Sequence, residues 1–230
     1  MTRPAHPSLD SLAETIVGGA PVSTGVLNRA LMLAPRLAAA DGGADTVLAA
    51  GLRPARVVGD MDSLSPTART AFTPVLNEIA EQDSTDFAKA LRTSDAPWTV
   101  GVGFLGARLD HTLACLTELA RSRARCVLLG EEDCVCILPP HLTLHLPVGS
   151  RVSLWPLGRA CGRSTGLHWP VDGIEMAPAS RVGTSNHSDA PDITLAFDGA
   201  PVALLLAADA IEALLEGLDF RPRPPASPPL

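Results

Sequence analysis

Four polar segments follow apolar runs in this sequence, and they hold the residues best suited to chemistry. The segments are 41–43 (Asp-Gly-Gly), 59–63 (Gly-Asp-Met-Asp-Ser), 83–86 (Asp-Ser-Thr-Asp) and 106–111 (Gly-Ala-Arg-Leu-Asp-His). Together they carry six aspartates and one arginine. In an open parallel sheet, ligands bind beyond the carboxyl ends of the strands. We therefore expect all four segments to converge on one pocket.

A carboxylate cluster of this size repels itself unless a cation neutralises it, and hard oxygen ligands in such number suit Mg²⁺. Asp60 and Asp62 are alternate residues, so in an extended turn they would point the same way and bind one ion. Arg108 offers a planar donor fork for a phosphate and would stabilise charge moving to a leaving group. The pattern predicts an enzyme that transfers phosphate from a magnesium-bound nucleotide.

Each of these residues also has a structural interpretation. Asp86 would complement a helix dipole, and Arg108 with Asp110 would form a surface ion pair. Several others precede predicted helices and would act as N-caps: Asp62, Ser63, Ser84, Thr85 and Asp110. What favours function is their shared position at strand ends, beside glycines 42, 43, 59 and 106 that permit close backbone approach.

The common kinase classes are excluded, because their motifs need a lysine in a fixed setting and the only lysine in the chain is Lys89. No Gly-x-x-x-x-Gly-Lys-Ser/Thr segment exists, and the protein-kinase motif set is missing as well. Phosphate handling must therefore depend on metal ions, backbone amides and arginine. Because Lys89 follows Asp86 by three residues in a predicted helix, an intrahelical ion pair is its favoured role, with phosphate contact as the alternative.

The elements that must position these residues alternate between strand and helix over residues 12–138, which predicts an α/β domain with a mostly parallel sheet flanked by helices. The predicted strands are 15–17, 37–40, 56–58, 99–102 and 126–129. The predicted helices are 27–34, 45–50, 66–72, 84–92 and 111–123.

After residue 139 short β-branched segments are punctuated by Gly and Pro, as in 142–146, 151–155 and 193–197. This texture predicts an all-β, sandwich-like domain over 139–216. Residues 1–11 are read as an N-terminal extension. Residues 217–230 are read as a proline-rich tail, extended or disordered.

Composition narrows the classes of partner. The net charge is −7, so no excess of basic residues exists to neutralise nucleic acid or an anionic membrane. The five cysteines are odd in number and lack Cys-x-x-Cys spacing, which disfavours disulfides and thiolate zinc sites. With no apolar signal region and no run of eighteen apolar residues, a cytoplasmic location is expected.

In these motifs the sequence resembles the thiamine pyrophosphokinases. Segment 40–44 is similar to that family's Ala-Asp-Gly-Gly-Ala-Asn, 59–63 to its Gly-Asp-Phe-Asp-Ser, 83–91 to its Asp-x-Thr-Asp segment, and 106–112 to its Gly-Gly-Arg-x-Asp-His. Segments 165–170 and 183–186 resemble its Gly-Leu-aromatic and Ser-Asn signatures. The resemblance covers about residues 12–207, and its motifs occur in the family's order.

The resemblance implies an α/β catalytic domain followed by a β-sandwich-like domain, assembled as a homodimer with each site at the subunit interface. It implies that thiamine and Mg²⁺-ATP give thiamine diphosphate and AMP, by attack of the thiamine hydroxyl on the β-phosphorus. It would make the protein a cytoplasmic transferase with Mg²⁺ as cofactor, ATP and thiamine as ligands, and no nucleic-acid or membrane partner.

Site roles carry over by position. Metal ligands would be Asp60, Asp62, Asp83 and Asp86, and ATP contacts would be Asp41, Gly42, Asp83, Thr85, Lys89 and Arg108. Thiamine would be bound by Asp86, Asp110, Thr184, Ser185, Asn186 and Trp169, and the catalytic set would be Asp60, Asp62, Asp86, Arg108 and Asp110. Trp169 and His187 are candidates to stack on the cationic heterocycle. Asp86 is the candidate proton acceptor, whereas a structural role is favoured for His111.

Three other functions stay open on the sequence. One is a pyrophosphokinase for another hydroxymethyl heterocycle, such as a pterin, because few aromatic residues are available for stacking on an acceptor. A non-catalytic nucleotide sensor would bind ATP without producing AMP. An aspartate-nucleophile phosphatase is disfavoured, because Leu64 stands where a threonine is normally required two residues after the second aspartate.

Overall fold

The computed structural model describes residues 12–220, which divide into two compact units, 12–103 and 104–220. The predicted boundary at residue 139 falls inside the second unit, between two of its strands, and stays a prediction of domain organisation. Residues 1–11 and 221–230, which hold the predicted extension and most of the predicted tail, lie outside the described residues. No helix in residues 12–220 is long and apolar enough to cross a membrane.

The first unit contains parallel strands with helices between them. Its strands are β1 Glu14–Val17, β2 Arg36–Ala40, β3 Arg56–Gly59, β4 Leu76–Glu78 and β5 Thr99–Val102. β1 pairs with β5, and β2, β3 and β4 pair in that order, all in parallel. The side chains of β1, β3 and β5 are almost all buried, as expected for strands covered on both faces. The parallel α/β prediction is confirmed.

This unit has four helices, three of which begin at a serine or threonine cap and one after a glycine. They are α1 Thr24–Leu33, α2 Gly43–Ala49, α3 Pro66–Phe72 and α4 Asp86–Arg92. Thr85 caps α4, where its hydroxyl accepts from the Ala88 amide at 3.1 Å. The cap of α3 is Ser65, which accepts from Ala68 at 3.1 Å. Asp62, Ser63 and Ser84, which also preceded predicted helices, are not the residues that cap them.

The second unit begins with a helix and continues as antiparallel sheet. Its elements are α5 Leu109–Ser122, β6 Cys126–Leu129, β7 Asp133–Ile137, β8 His141–His145, β9 Arg151–Pro156, β10 Ala160–Thr165, β11 Glu175–Met176, β12 Gly183–His187, β13 Asp192–Gly199, β14 Val202–Ala207 and α6 Ile211–Gly217. β6, β7, β14, β9 and β12 form one sheet, and β11, β10, β13 and β8 form a second. Burial alternates along β8 and β10, so one face of the second sheet lies against the core.

Four of the five cysteines belong to the core, and none of the five forms a disulfide. All five are free, and all but Cys161 are buried. Burial raises the pKa of Cys115 to about 12, so its thiol stays protonated. Cys134 and Cys136 lie in β7 with buried side chains.

Candidate active site

Three aspartates from separate segments of the first unit meet in the structure. Asp41 follows β2, Asp60 follows β3, and Asp86 opens α4. β2 and β3 are parallel neighbours, with Ala40 opposite Val58, so the residues that follow them emerge at the same edge. One carboxylate oxygen of each aspartate lies within 4.8 Å of the others. We call Asp41, Asp60 and Asp86 the carboxylate cluster.

Gly59 makes this close approach possible. A Cβ at position 59 would lie 2.8 Å from the Asp41 Cβ and 3.1 Å from Asp86 Oδ1. Any other residue would therefore push Asp41 and Asp86 away from the strand end. Gly42, predicted as an ATP contact, is the N-cap residue of α2, and a Cβ there would lie 3.4 Å from the Ser63 Cβ.

Asp41 is the most deeply buried member of the cluster, with 3% of its surface exposed and a left-handed backbone at φ 40°. Its Oδ2 accepts from the Ser63 amide at 3.2 Å, whereas its Oδ1 is buried without a hydrogen-bond partner. Burial raises the pKa of Asp41, and the charges of Asp86 and Asp62 raise it further against the hydrogen bond from Ser63. A cation would satisfy both the charge and the unpartnered oxygen.

Asp60 is held by two donors. Its Oδ1 accepts from the Asp62 amide at 3.3 Å, and its Oδ2 accepts from Gln82 Nε2 at 3.0 Å. Burial acts to raise the pKa of Asp60, but these hydrogen bonds and the charge of Lys89 outweigh it, so the pKa is lowered. Asp60 is therefore ionised and fixed in orientation at neutral pH.

Lys89 is the positive group next to the cluster, and only 1% of its surface is exposed. Its Nζ lies 3.1 Å from Asp86 Oδ1 and 3.6 Å from Asp60 Oδ2. Burial acts to lower the pKa of Lys89, yet the hydrogen bond and charge of Asp86, with those of Asp60, raise it overall. The intrahelical pair with Asp86 is confirmed, and the lysine also reaches Asp60.

The segment from Asp60 to Ser63 is a tight turn, not the extended turn assumed from the sequence. Met61 is buried and has φ 66°, and the Asp62 amide turns back to Asp60. The Asp62 carboxylate accepts from the Ser63 hydroxyl at 2.9 Å and lies outside the carboxylate cluster. Alternation along an extended strand fails here because residue 61 adopts a left-handed conformation.

Asp83 and Thr85 lie before α4. Asp83 is exposed and outside the carboxylate cluster, and its amide donates to Glu81 Oε2 at 3.0 Å. Thr85 uses its hydroxyl as the helix cap. The metal roles predicted for Asp62 and Asp83 and the ATP role predicted for Thr85 stay predictions.

Arg108 and Asp110, in the second unit, form an exposed ion pair. Arg108 donates to Asp110 Oδ1 at 3.1 Å and to Oδ2 at 2.6 Å. The hydrogen bonds from Arg108 are the largest cause of the lowered pKa of Asp110. Positive φ angles of 82° at Gly106 and 52° at Ala107 turn the loop ahead of Arg108. The surface ion pair anticipated from the sequence is present.

The predicted acceptor-binding residues lie on β12 and the loop beside it. Thr184 and Ser185 are exposed, and Ser185 lies at a register shift with φ 61°. Asn186 is 4% exposed, and its amide group both accepts from the Trp169 amide at 3.1 Å and donates to the Trp169 carbonyl at 2.8 Å. Asn186 thus fixes Trp169, whose own surface is 56% exposed.

Gln82 and Ser63 are site residues that the sequence did not single out for these contacts. Gln82 orients Asp60, and the Ser63 amide orients Asp41. Each contact joins two residues that are 22 positions apart in the sequence. No spacing rule and no residue type predicts such contacts. The one signal in the sequence is that each residue lies next to a candidate aspartate.

Comparison with known proteins gives a consistent set of matches. The family described as thiamin pyrophosphokinase, catalytic domain, matches residues 27–128. Thiamine pyrophosphokinase 1 of rice (Oryza sativa subsp. japonica) is 27% identical over 167 residues, which are 64% of this chain and 63% of the relative. Thiamine pyrophosphokinase 2 of Arabidopsis thaliana is 28% identical over 64% of this chain and 62% of the relative. The matched region thus spans less than two thirds of these relatives.

Solved structures agree in fold. The thiamin pyrophosphokinase of Geobacillus thermodenitrificans superposes with a TM-score of 0.71 at 24% identity, covering 86% of this chain and 99% of that one. The yeast enzyme superposes with a TM-score of 0.70 at 16% identity, covering 92% of this chain and 90% of that one. At these identities the likeness establishes the architecture.

Proposed function

We propose that this chain is a member of the thiamin pyrophosphokinase family and transfers a diphosphate group from Mg²⁺-ATP to the hydroxyl of thiamine, giving thiamine diphosphate and AMP; the matches to that family support the proposal. The observation that carries the proposal is the carboxylate cluster of Asp41, Asp60 and Asp86 beside Lys89. Such a cluster at parallel strand ends suits a cation and the phosphates that accompany it.

The donor set fits Mg²⁺. Its oxygens are hard ligands, they lie within 4.8 Å of one another, and Asp41 Oδ1 is buried with no hydrogen-bond partner. Asp41, Asp60 and Asp86 would hold the ion, and the ligand roles of Asp62 and Asp83 are part of the same proposal. When bound, Mg²⁺ would neutralise phosphate charge and help orient the triphosphate.

In the proposed reaction the thiamine hydroxyl oxygen bonds to the β-phosphorus of ATP. The bond between that phosphorus and the oxygen bridging to the α-phosphate breaks, and AMP leaves. Such transfers pass through a loose transition state, so positioning and electrostatics supply most of the rate and no strong base is required. Asp86 is the proposed acceptor of the hydroxyl proton. Lys89, in contact with Asp86, would keep a fixed positive charge near the phosphates.

Arg108 is proposed to bind a phosphate oxygen. Its guanidinium is exposed and already engages a carboxylate through two nitrogens, the geometry that also suits phosphate. Binding would therefore exchange Asp110 for phosphate and leave Asp110 free for the acceptor. Thr85 and Gly42, the N-cap residues of α4 and α2, complete the proposed ATP contacts together with Asp41 and Asp83.

On the acceptor side, Trp169, Thr184 and Ser185 are exposed and so available to a ligand, whereas Asn186 would act by holding Trp169. The face of a tryptophan favours a cationic ring such as the thiazolium of thiamine. A homodimer is also proposed. In its favour, α5 exposes large apolar side chains, with Leu109 72% and Leu113 50% accessible. A cytoplasmic location is proposed with it.

The proposal is tested by Asp60→Asn. Removing one charge from the cluster should lower kcat by roughly 10²-fold or more while the fold is retained, because an electrostatic contribution to the transition state is lost. Asp198→Asn, at an exposed aspartate on β13, is the matched control and should keep full activity. Turnover of the Asp60 variant within about twofold of the control would contradict the role of the cluster.

A further inference from the structure

A second group of potential metal ligands lies in the second unit, outside the carboxylate cluster. It consists of His168, His187 and Asp189, and we call it the imidazole cluster. His168 Nδ1 lies 3.0 Å from Asp189 Oδ2, and His187 Nε2 lies 3.7 Å from Asp189 Oδ1. One ligand atom from each residue lies within 4.8 Å of the others.

The backbone holds these three residues in place. The His168 amide donates to the His187 carbonyl at 2.9 Å, and the Asp189 amide donates to the Gly166 carbonyl at 2.8 Å. Asn186 Oδ1 accepts from the Trp169 amide at 3.1 Å and from the His187 amide at 2.9 Å. Both segments that supply ligands are thus tied together next to the ligands themselves, so rotation of the imidazole rings, without movement of the backbone, would be enough to aim all three ligands at one ion.

The two imidazoles lie face to face, with centroids 4.4 Å apart and planes 19° from parallel. The ring of Trp169 is nearly perpendicular to both, with centroid distances of 4.6 Å to His168 and 5.3 Å to His187. The side chains keep 44%, 35% and 54% of their surface exposed for His168, His187 and Asp189. One flank is therefore aromatic, while the ligand atoms remain accessible to an ion from solvent.

We propose that the imidazole cluster is a binding site for a transition-metal ion of the Zn²⁺ class. Two imidazole nitrogens and one carboxylate oxygen are a donor set that such ions take in proteins, with water in the fourth position. Ligand atoms about 2.0–2.1 Å from a tetrahedral ion lie about 3.3 Å from each other. Measured to the same oxygen, Asp189 Oδ1, the distances are 3.2 Å from His168 Nδ1 and 3.7 Å from His187 Nε2, on either side of this spacing. Nitrogen donors also separate the site from Mg²⁺, which prefers oxygen.

The chain offers a close control for this site. On β8 and β13, His145 Nδ1 lies 2.8 Å from Asp192 Oδ1, and both side chains are exposed. This pair has a histidine and a carboxylate at the same kind of distance, but it is not part of a three-ligand group in residues 12–220. It should bind Zn²⁺ far more weakly than the imidazole cluster.

The test is calorimetric titration of the full-length, chelator-treated protein with Zn²⁺ in a large excess of Mg²⁺. The wild-type chain and His145→Asn should each bind one Zn²⁺ that His187→Asn fails to bind at the same concentrations. Absence of saturable Zn²⁺ binding by the wild-type chain would overturn the proposal, as would equal binding by His187→Asn. An equal loss in His145→Asn would also overturn it, because the ion would then lie elsewhere.

A spectroscopic measurement checks the location without removing a ligand. Co²⁺ in place of Zn²⁺ should quench the fluorescence of Trp169, whose ring lies against both imidazoles. Trp169→Phe should keep the bound ion but lose that part of the quenching. Quenching that is unchanged in Trp169→Phe would place the ion at another tryptophan and contradict the assignment.

Discussion

Asp41 combines a cost in stability with a proposed function. It is a buried carboxylate in a left-handed backbone conformation, and one of its oxygens has no hydrogen-bond partner. Burial of an unpaired charge opposes folding. The residue is therefore explained better by a bound cation than by packing, which agrees with the general observation that functional sites store unfavourable interactions.

Asp41→Asn should stabilise the metal-free protein at neutral pH and abolish turnover. The raised pKa means that the folded state holds the proton of Asp41 more tightly than the unfolded chain, whose value is about 3.9. The stability that protonated Asp41 contributes to the fold is therefore fully present below about pH 3.9 and is lost as the pH rises through the folded-state pKa. An amide mimics the protonated form at every pH.

Urea unfolding of the wild type and of Asp41→Asn, both in the presence of a chelator, measures the difference between their free energies of unfolding. It should be near zero at about pH 3, where Asp41 is protonated in both states, and largest at about pH 7. The new amide would have the carboxylates of Asp60 and Asp86 nearby as acceptors. A variant that is less stable than wild type at neutral pH would contradict the assigned cost of Asp41.

At this scale the sequence identified the aspartates but not their grouping. Asp41 was predicted as a nucleotide contact, yet it is the residue that joins Asp60 and Asp86, while Asp62 and Asp83 lie apart. The difference arises from the left-handed Met61 and from long-range contacts such as Gln82 to Asp60. The spacing of residues in the sequence indicates neither the backbone conformation of Met61 nor a contact between distant segments.

At the scale of elements, glycine determines how closely strands and helices meet. Gly43 opens α2, and a Cβ there would lie 2.0 Å from the Val17 carbonyl oxygen of β1. No side-chain rotation relieves a clash with backbone, so strand and helix must separate. Gly19, in contrast, has no heavy atom within 4 Å of the corresponding position.

Gly43→Ala should therefore lower the free energy of unfolding by about 1–3 kcal/mol, whereas Gly19→Ala should leave it nearly unchanged. Thermal or urea unfolding of the two variants measures the contrast. Equal stability of the two would show that α2 can move away from β1 at little cost. Both substitutions change the same chemical group, so unfolded-state effects largely cancel.

Elements were predicted well where the pattern is local. The predicted strands 15–17, 37–40 and 56–58 all appear, because buried parallel strands have continuous apolar runs. Helix starts were less accurate: the helices predicted to begin at 27, 45, 84 and 111 begin at 24, 43, 86 and 109. The start of α3 at Pro66 was predicted, but Ser65 rather than Asp62 or Ser63 caps it, because a proline at the first helical position places the cap one residue earlier.

For the whole molecule, the family resemblance predicted both the α/β and the antiparallel parts, which the fold confirms. The change in sequence texture and the compact units divide the chain at different residues. The change in sequence texture comes at residue 139, whereas the compact second unit begins at residue 104 and includes α5, β6 and β7. The amino-acid composition of a segment indicates which kind of strand it forms, but it does not indicate which helices and strands pack together.

The proposed homodimer is tested by sedimentation. A chain of 23.9 kDa should sediment with twice that mass at micromolar concentration. The apolar surface at Leu109 and Leu113 would be expected to be covered in such an assembly. A monomer that retains full activity at that concentration would contradict the homodimer and would remove any need for a shared site.

The central proposal is tested most directly by product analysis. Purified protein is incubated with Mg²⁺-ATP and either thiamine or a hydroxymethylpterin, and nucleotides and acceptor products are separated and quantified. With thiamine, AMP and thiamine diphosphate should form in equal amounts, and the pterin should give neither AMP nor a diphosphorylated product. ADP as the nucleotide product, AMP with the pterin alone, or ATP binding without AMP would each contradict a thiamine pyrophosphokinase activity.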